Sequence, residues 1–376
     1  MDPDATGYFL PDDWILWRSG GRLSAIRLSS GEQLQIEAGP ELDIFDHERS
    51  SAVWASLARF EPLVAQLRAQ LREQPLLPLT HGSVLRGSGW KQLFIELTGQ
   101  CNERCVHCYA ESSPFLTEAL SWRDISRVLG DAKALDFGLV QLTGGDPLIS
   151  PHCVRAVERA KELGIPRVEI YTNGLALRGS LYERLRELGP AFAFSFYSHE
   201  PDTHDAITRT RGSHARTARA IRRAVDDGLS VRVGIISMGQ NRDHGPDTKD
   251  FLLGLGVAEE AIRFDQMRDV GRGGATSPEQ RMGAEGAQAG TETDVRRSFG
   301  GTAAVSYEGT VYPCIFSRHL ALGSIRASSL QEILTSAAPL APKKESLLLA
   351  RERWSAKLSC WECQARSVLL GGGCHA

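Results

Sequence analysis

The chain has 376 residues, of which 42% are hydrophobic and 24% are charged, a composition typical of a globular protein with more than one domain. Its 43 basic residues against 46 acidic residues give a formal net charge of −3, so no global positive field attracts nucleic acid or anionic lipid. No apolar run approaches the about 20 residues of a membrane helix, and residues 1–11 lack the pattern of a signal peptide. We therefore expect a cytoplasmic protein without nucleic-acid or membrane partners.

The first part of the chain is predicted to form a small α+β domain over residues 1–85. Short strand-like runs separated by glycine turns extend from Trp14 to Glu37, and helical stretches follow at 52–60 and 62–74. This pattern indicates three strands followed by helices.

Residues 88–270 change character, because apolar strand candidates there alternate with amphipathic helices. The first of these helices begins at Ser121, with Asp124 three residues on as a capping partner. Strands are predicted at 93–97, 139–142, 167–171, 192–196, 231–236 and 262–266. Six strands that alternate with helices favour an α/β fold, a partial (β/α)6 barrel whose functional groups lie at the carboxyl ends of the strands.

The last part of the chain is predicted to form a separate, cysteine-rich extension. Residues 271–298 are rich in Gly, Glu, Gln, Ala and Thr without an apolar period, which is typical of a linker or long surface loop. Residues 299–376 then include a hairpin-like run at 303–314 and a helix around Leu330.

The eight cysteines stand out in this composition, since cysteines in a chain without an export signal are more often metal ligands or catalytic groups than disulfides. Cys153 is predicted to be a core residue, because it shares an apolar helical stripe with Ala156, Val157 and Ala160. The others fall into one loop and the last quarter of the chain.

Three of the cysteines follow the first predicted barrel strand in a C-x3-C-x2-C array, namely Cys101, Cys105 and Cys108. Three thiolates in so short a loop can surround one inorganic centre, and soft sulfur ligands select iron–sulfur clusters or zinc. Zinc needs a fourth ligand, for which only His107 or a remote cysteine is available. On a cubane cluster, three cysteines leave one iron open for a substrate or cofactor.

This array, with Tyr109 after its last cysteine, resembles the signature of the radical S-adenosylmethionine (SAM) superfamily. In that family a Gly-Gly-acidic-Pro motif after the second strand binds the methionine end of SAM, and here Gly144, Gly145, Asp146 and Pro147 follow the second predicted strand. The glycines would allow close backbone approach and the carboxylate would pair with the ammonium group of SAM.

The same resemblance implies three further SAM contacts. Asn173 lies in a Thr-Asn-Gly run after the third strand, although a plain Asn-Gly turn explains it equally well. Ser195 ends the fourth strand, where many relatives have a serine that faces SAM. Arg211, with Arg209 as the alternative, is the candidate for the SAM carboxylate.

The resemblance implies radical chemistry, in which a reduced [4Fe–4S] cluster splits SAM into methionine and a 5′-deoxyadenosyl radical that abstracts a substrate hydrogen. An electron donor such as a flavodoxin or ferredoxin is therefore expected. Because the cofactor carries the difficult step, we assign no protein general base.

The terminal cysteines resemble those of the SPASM and twitch domains that follow the barrel in many peptide-modifying members. The matching residues are Cys314, Cys360, Cys363 and Cys374. The pattern is reduced, since Phe299 and Leu370 stand where further cysteines are expected. Four cysteines suit one auxiliary [4Fe–4S] cluster, and a structural zinc site or a metal-free domain are the alternatives.

The N-terminal domain resembles the small winged-helix-like recognition domain of enzymes that modify ribosomally made peptides, which captures a leader peptide as an added strand. A plain cap on the barrel is the alternative. We therefore predict a radical SAM peptide maturase that forms a C–C or thioether cross-link in a precursor peptide. Radical oxidation or decarboxylation of a small molecule such as a tetrapyrrole is the runner-up, and a zinc-stabilised binding protein is the non-enzymatic alternative.

Overall fold

A computed structural model of the chain divides into two compact units, which are described separately. In the first unit the structure describes the backbone of five strands between residues 7 and 78. Beyond these strands it describes residues 89–268, 270–275, 301–316, 318 and 321–336, most of which belong to the second unit.

The N-terminal strands form an antiparallel sheet in the order β4-β3-β2-β1-β5. Their bounds are β1 Gly7–Leu10, β2 Trp14–Ser19, β3 Arg22–Arg27, β4 Gln33–Glu37 and β5 Leu77–Pro78. The three strands expected between Trp14 and Glu37 are present. The sequence analysis missed β1, a run of four residues too short to show an alternating pattern, and the helices expected at 52–60 and 62–74 lie outside the described residues.

The second unit contains six parallel strands that follow one another in space in the order β11-β10-β9-β8-β7-β6. Their bounds are β6 Gln92–Glu96, β7 Leu139–Thr143, β8 Arg167–Thr172, β9 Ala191–Ser195, β10 Val231–Ser237 and β11 Ile262–Gln266. The central strands are buried on both faces, which explains their nearly continuous apolar sequences. The predicted parallel α/β sheet is confirmed.

Six helices lie between these strands along the chain and one follows the last described strand, and apolar side chains on one face of the helices are buried. The helices are α1 Trp122–Ala134, α2 Cys153–Glu162, α3 Gly179–Leu188, α4 Pro201–Thr208, α5 Ser213–Asp226, α6 Gly245–Gly254 and α7 Leu330–Thr335. Ser121 caps α1 as predicted, because its Oγ accepts a hydrogen bond from the Asp124 N–H at 3.2 Å. Cys153 is buried with Ala156, as expected of a core residue. None of the helices in the described ranges is long and apolar enough to cross a bilayer.

The segment after the predicted linker joins the barrel sheet instead of forming a sheet of its own. The predicted hairpin consists of β12 Thr302–Val305 and β13 Thr310–Tyr312, and β14 Gly323–Ser324 pairs with β13. Strand β12 pairs in parallel with β6 from Thr302 opposite Gln92 to Val305 opposite Ile95. Strands β12 to β14 therefore lie in the same compact unit as the barrel strands, and the domain boundary expected at residue 299 stays a prediction.

A buried ion pair joins Glu169 in β8 to Arg232 in β10. The Glu169 carboxylate is 2% exposed and accepts hydrogen bonds from Arg232 Nε at 2.9 Å and Arg232 Nη2 at 2.8 Å. Burial alone would raise the pKa of Glu169, but the hydrogen bonds and charge of Arg232 outweigh burial and lower it. The ionised carboxylate is thus the form that the fold stabilises.

We predict that Glu169→Gln destabilises the protein by about 3–5 kcal/mol at neutral pH, because it leaves the Arg232 charge buried without its counter-ion. Since the pKa of Glu169 in the folded protein is lowered from 4.5, the difference from wild type should be complete above pH 4.5 and be lost as the pH falls through the lowered pKa of the folded state. Urea unfolding over a pH series that starts at neutral pH and descends below 4.5 measures both effects.

The matched control is Glu187→Gln, which removes an exposed partner of Arg184. Its cost should stay below about 1 kcal/mol. Equal costs for the two variants would show that the buried pair is no more important than a surface pair.

Candidate active site

The principal cavity of the barrel unit lies at the carboxyl ends of the parallel strands. The loop after β6 supplies the three clustered cysteines and Tyr109, and the loops after the next strands supply the opposite wall. Predicted site residues that line this cavity are Cys101, Cys105, Cys108, Tyr109, Gly144, Gly145, Asn173 and Ser195. Residues far apart in sequence thus meet where a parallel sheet places its functional groups.

The cysteine loop is held by backbone hydrogen bonds to neighbouring segments. The N–H of Cys101 donates to the carbonyl of Ser113 at 3.0 Å, and the N–H of Val106 donates to the carbonyl of Ile207 at 2.9 Å. Ile207 belongs to the last turn of α4. The loop therefore has a defined backbone path although it contains no helix or strand.

Gly144 and Gly145 allow the loop after β7 to lie directly against the residues before Cys101. A Cβ on Gly145 would lie 1.8 Å from the Gln100 carbonyl oxygen, and a Cβ on Gly144 would lie 2.4 Å from the Thr98 carbonyl oxygen. The N–H of Gly145 donates to Thr98 O at 2.7 Å. The absence of side chains here is thus needed for contact between two protein loops.

The carboxylate of Asp146 is used inside the protein and does not line the cavity. It is fully buried and accepts hydrogen bonds from Leu148 N–H at 2.9 Å, Thr172 Oγ1 at 2.7 Å and Asn173 N–H at 2.9 Å. Burial raises its pKa, although these three hydrogen bonds oppose the shift. Asp146 thus connects the loops after β7 and β8, and its expected pairing with the ammonium group of SAM stays a prediction. Pro147 begins a short 3₁₀ helix at 147–149 and also lies outside the cavity lining.

Asn173 connects the loop after β8 to the cysteine loop. Its Nδ2 donates to Asn102 Oδ1 at 2.6 Å and lies 3.8 Å from the sulfur of Cys101. Its Oδ1 accepts from the N–H of Leu175 at 3.0 Å, and Gly174 has φ +80°. Asn173 therefore forms an Asn-Gly turn and also lies in the cavity wall.

Arg211 and its alternative Arg209 do not reach the cavity. Both are exposed, and Arg209 adopts a left-handed conformation at the end of α4, with φ 53°. The expected contact of either arginine with the SAM carboxylate stays a prediction. Cationic side chains in the cavity wall come from the segment after β11 instead, at Arg268 and Arg272.

Sequence reasoning also missed several polar wall residues, among them Glu103, Tyr197, Asp265 and Arg268. Glu103 and Asp265 could have been suspected from position, since one lies inside the cysteine array and the other is the penultimate residue of the sixth strand. The Asp265 carboxylate pairs with Arg268 Nη2 at 2.7 and 2.9 Å, and the Arg268 guanidinium stacks 4.7 Å above the Phe316 ring.

The cavity disfavours negative charge in the metal-free protein. Burial, with a smaller contribution from Asp146, raises the pKa of the Cys101 thiol, and burial also raises that of Cys105. Burial raises the pKa of Glu103 to about 7. Thiolates can therefore be accommodated here when a cationic centre neutralises them, which fits the residues to a metal cluster.

Three thiols that line one cavity fit a polynuclear centre. In a cluster each thiolate binds a different iron, so the three sulfurs need not meet at one point. A single zinc ion would need a fourth ligand besides these three cysteines.

Cys314 follows β13 and is buried in an apolar cluster with Phe94 and Ile315. The rings of Tyr109 and Phe316, 5.4 Å apart in an edge-on arrangement, pack against this cluster. Cys314 thus lies on the side of the barrel where Tyr109 leaves the cysteine loop. Cys360, Cys363 and Cys374 lie outside the described residues, so their assignment stays a prediction.

Comparisons with protein families decide the affiliation. The model of the radical SAM superfamily matches residues 95–252, and that of SPASM, an iron–sulfur cluster-binding domain, matches residues 298–364. Residues 95–252 thus belong to the radical SAM superfamily. The cofactors expected from the sequence, [4Fe–4S] clusters and SAM, are those of its two matched domains. The SPASM match includes Cys314, Cys360 and Cys363 and ends before Cys374.

Two kinds of curated relatives are similar to the radical SAM part. A probable GTP 3′,8-cyclase of Methanothermobacter thermautotrophicus is 32% identical over 175 residues, 46% of this chain and 57% of the relative. The antilisterial bacteriocin subtilosin biosynthesis protein AlbA of Bacillus subtilis is 30% identical over 183 residues, 47% of this chain and 40% of the relative. The chain therefore matches less than two thirds of the length of these relatives.

Solved radical SAM structures share the fold. Streptococcus suis SuiB bound to its precursor peptide SuiA has a TM-score of 0.54 at 13% identity, with 88% of both chains covered. The enzyme anSMEcpe with bound SAM and a peptide has a TM-score of 0.50 at 13% identity, covering 75% of this chain and 88% of that one.

We predict that Gly145→Ala prevents assembly of the cluster, because the added methyl group would lie 1.8 Å from the Gln100 carbonyl oxygen, next to Cys101. Iron content after anaerobic reconstitution is the measurement. Gly138→Ala is the matched control, since its methyl group would meet the nearest atom at 3.4 Å, an ordinary contact distance. If Gly145→Ala bound as much iron as this control, the loop contact would not be required.

Proposed function

We propose that the chain is a radical SAM enzyme that modifies a ribosomally made peptide, forming a C–C or thioether cross-link. The observation that supports the radical chemistry is the cavity itself, in which the thiols of Cys101, Cys105 and Cys108 share one wall at the carboxyl ends of the strands. These three cysteines would hold a [4Fe–4S] cluster, which when reduced supplies the electron that splits SAM into methionine and a 5′-deoxyadenosyl radical.

The chain's own residues have a positioning task. Asp146 and Asn173 connect the loops after β7 and β8 to the cysteine loop, so that hydrogen bonds hold these three segments together. Aromatic and aliphatic side chains, including Phe94, Ile236 and Phe316, line the same cavity and exclude water from reactive species. No side chain is assigned as a general base.

The end of β11 and the segment after it supply a polar edge of the cavity for substrate. There the Nη2 of Arg268 contacts both carboxylate oxygens of Asp265, and Phe316 stacks on the guanidinium. Because each group is held by the other, this edge is preorganised and loses little side-chain entropy when a substrate binds. Such an edge suits the alternating amide donors and acceptors of a peptide backbone.

Two further observations support a peptide substrate. AlbA acts in the biosynthesis of the bacteriocin subtilosin, and the SPASM match places an iron–sulfur domain after the barrel. Cys314, Cys360, Cys363 and Cys374 would hold one auxiliary [4Fe–4S] cluster, which could accept the second electron of the oxidation. In the N-terminal sheet, β4 is an edge strand among the described strands, and a leader peptide could pair with it as an added strand.

A small-molecule substrate is the second candidate, and the GTP 3′,8-cyclase relatives favour it. The match to the first of these relatives spans 46% of this chain. For such a substrate, the Arg268 and Arg272 side chains of the cavity wall would be the groups that meet an anionic part of the molecule.

We predict that wild-type protein, reconstituted with iron and sulfide and supplied with a flavodoxin- or ferredoxin-type reductant, releases 5′-deoxyadenosine from SAM. Cys105→Ala should abolish this release while keeping the fold, because it removes one cluster ligand. Cys153→Ala should retain it, since Cys153 is a core residue of α2. Chromatography of the anaerobic reaction measures the nucleoside, and unchanged release by Cys105→Ala would refute the assigned loop.

Co-expression with a short precursor peptide encoded beside the gene should give a product that has lost hydrogen, with cross-linked residues identified by tandem mass spectrometry. Co-expression with the Cys105→Ala variant should leave the peptide unmodified. If the wild-type protein cleaves SAM but leaves every neighbouring short peptide unchanged, the small-molecule candidate replaces the peptide candidate.

A further inference from the structure

The segment after β11 makes direct contact with the cysteine loop. It was expected to begin a linker, but Gly271–Ala275 form a 3₁₀ helix. The N–H of Arg272 donates to the carbonyl of Cys108 at 3.1 Å, its Nε donates to the carbonyl of Cys105 at 2.8 Å, and its Nη1 donates to the carbonyl of Ser112 at 2.9 Å. One residue thus binds three points of the loop.

The glycines on either side of Arg272 make this approach feasible. Gly271 has φ +57°, and a Cβ there would lie 2.4 Å from the Tyr109 carbonyl oxygen and 2.5 Å from that of Cys108. A Cβ on Gly273 would lie 2.3 Å from the Arg268 carbonyl oxygen. Backbone atoms cannot move aside as a side chain can, so both positions exclude any other residue.

One nitrogen of the Arg272 guanidinium has no hydrogen-bond partner among the described residues. This nitrogen, Nη2, is buried. The same holds for the Oγ of Ser112, whose residue is 1% exposed, and for the Nδ1 of His107. All three residues line the cavity. Buried polar atoms without partners are rare in folded proteins, so their concentration at one wall indicates a ligand that satisfies them.

We propose that Gly271–Arg272–Gly273 is a clamp in which Arg272 positions the cysteine loop and donates its remaining N–H groups to an acceptor atom of bound SAM. This inference deepens the proposed function and rests on it for the identity of the ligand. Arginine is required because its planar fork offers several fixed donors, whereas the single ammonium of lysine cannot reach two loop carbonyls and a ligand together. Through the clamp, the conformation of the cysteine loop would depend on whether SAM is bound in the cavity.

Hydrogen–deuterium exchange in the metal-free protein tests the clamp without any cofactor. Arg272→Lys and Arg272→Gln should accelerate exchange of the amides in residues 101–112 by about tenfold or more, because loss of a hydrogen bond to a charged group shifts a local opening equilibrium by at least that factor. Arg219→Gln, at an exposed position of α5, should leave the loop unchanged. Unchanged exchange in both Arg272 variants would overturn the clamp.

A glycine pair separates steric contact from backbone strain. Gly271→Ala and Gly189→Ala both place alanine in a left-handed conformation, at φ +57° and +60°, but the Gly189 position has no atom within 4 Å. Only Gly271→Ala should accelerate exchange in the cysteine loop. Equal behaviour of the two variants would attribute the effect to strain and overturn the steric part of the clamp.

Equilibrium dialysis of reconstituted protein with SAM tests the ligand contact. Arg272→Lys that has assembled its cluster should bind SAM about tenfold more weakly or worse. Equal affinity of the two loaded proteins would overturn the contact with SAM. Wild-type protein that assembles no cluster would instead refute the proposed function, while the exchange experiment would still decide whether the clamp exists.

Discussion

The close approach of Gly145 to the backbone of Gln100 is the contact on which the candidate active site depends. Parallel pairing of β6 with β7 brings their two following loops to the same edge of the sheet, and the loops can meet there only where a side chain is missing. The contact fixes the residue before Cys101. Hydrogen bonds of Asp146 and Asn173 then hold the loop after β8 against the same two loops.

The charges of the site follow from the burial that this packing creates. Burial raises the pKa values of Cys101 and Glu103, so the metal-free cavity favours neutral groups. The iron of a cluster supplies positive charge that neutralises the thiolates. Without the cluster, burial opposes ionisation of the thiols; with it, the same burial strengthens the attraction between thiolate and iron. The cavity is therefore complementary to its cofactor in charge as well as in shape.

The sequence predicted the barrel well, because period and turn signals are local properties. The strands at 139–142 and 262–266 and the cap at Ser121 were placed within a residue or two of their observed positions. Side-chain roles were harder to predict. The protein contacts of Asp146 and the exposure of Arg211 were not foreseen, because both depend on the tertiary course of loops that have no sequence period. Their assignment as SAM contacts stays a prediction. Arg272 was overlooked because the glycines that permit its contacts also resemble those of a linker.

The pairing of β12 with β6 has a consequence for how the protein forms. Strand β6 is the first strand of the barrel to leave the ribosome, yet the strand on its other side is more than 200 residues away in sequence. Until β12 has been synthesised, one edge of β6 presents unpaired backbone groups that could pair with another chain. Pairing two strands so far apart in sequence is slow compared with pairing neighbouring strands. The residues that surround the cysteine loop after β6 are therefore all in place only late in synthesis.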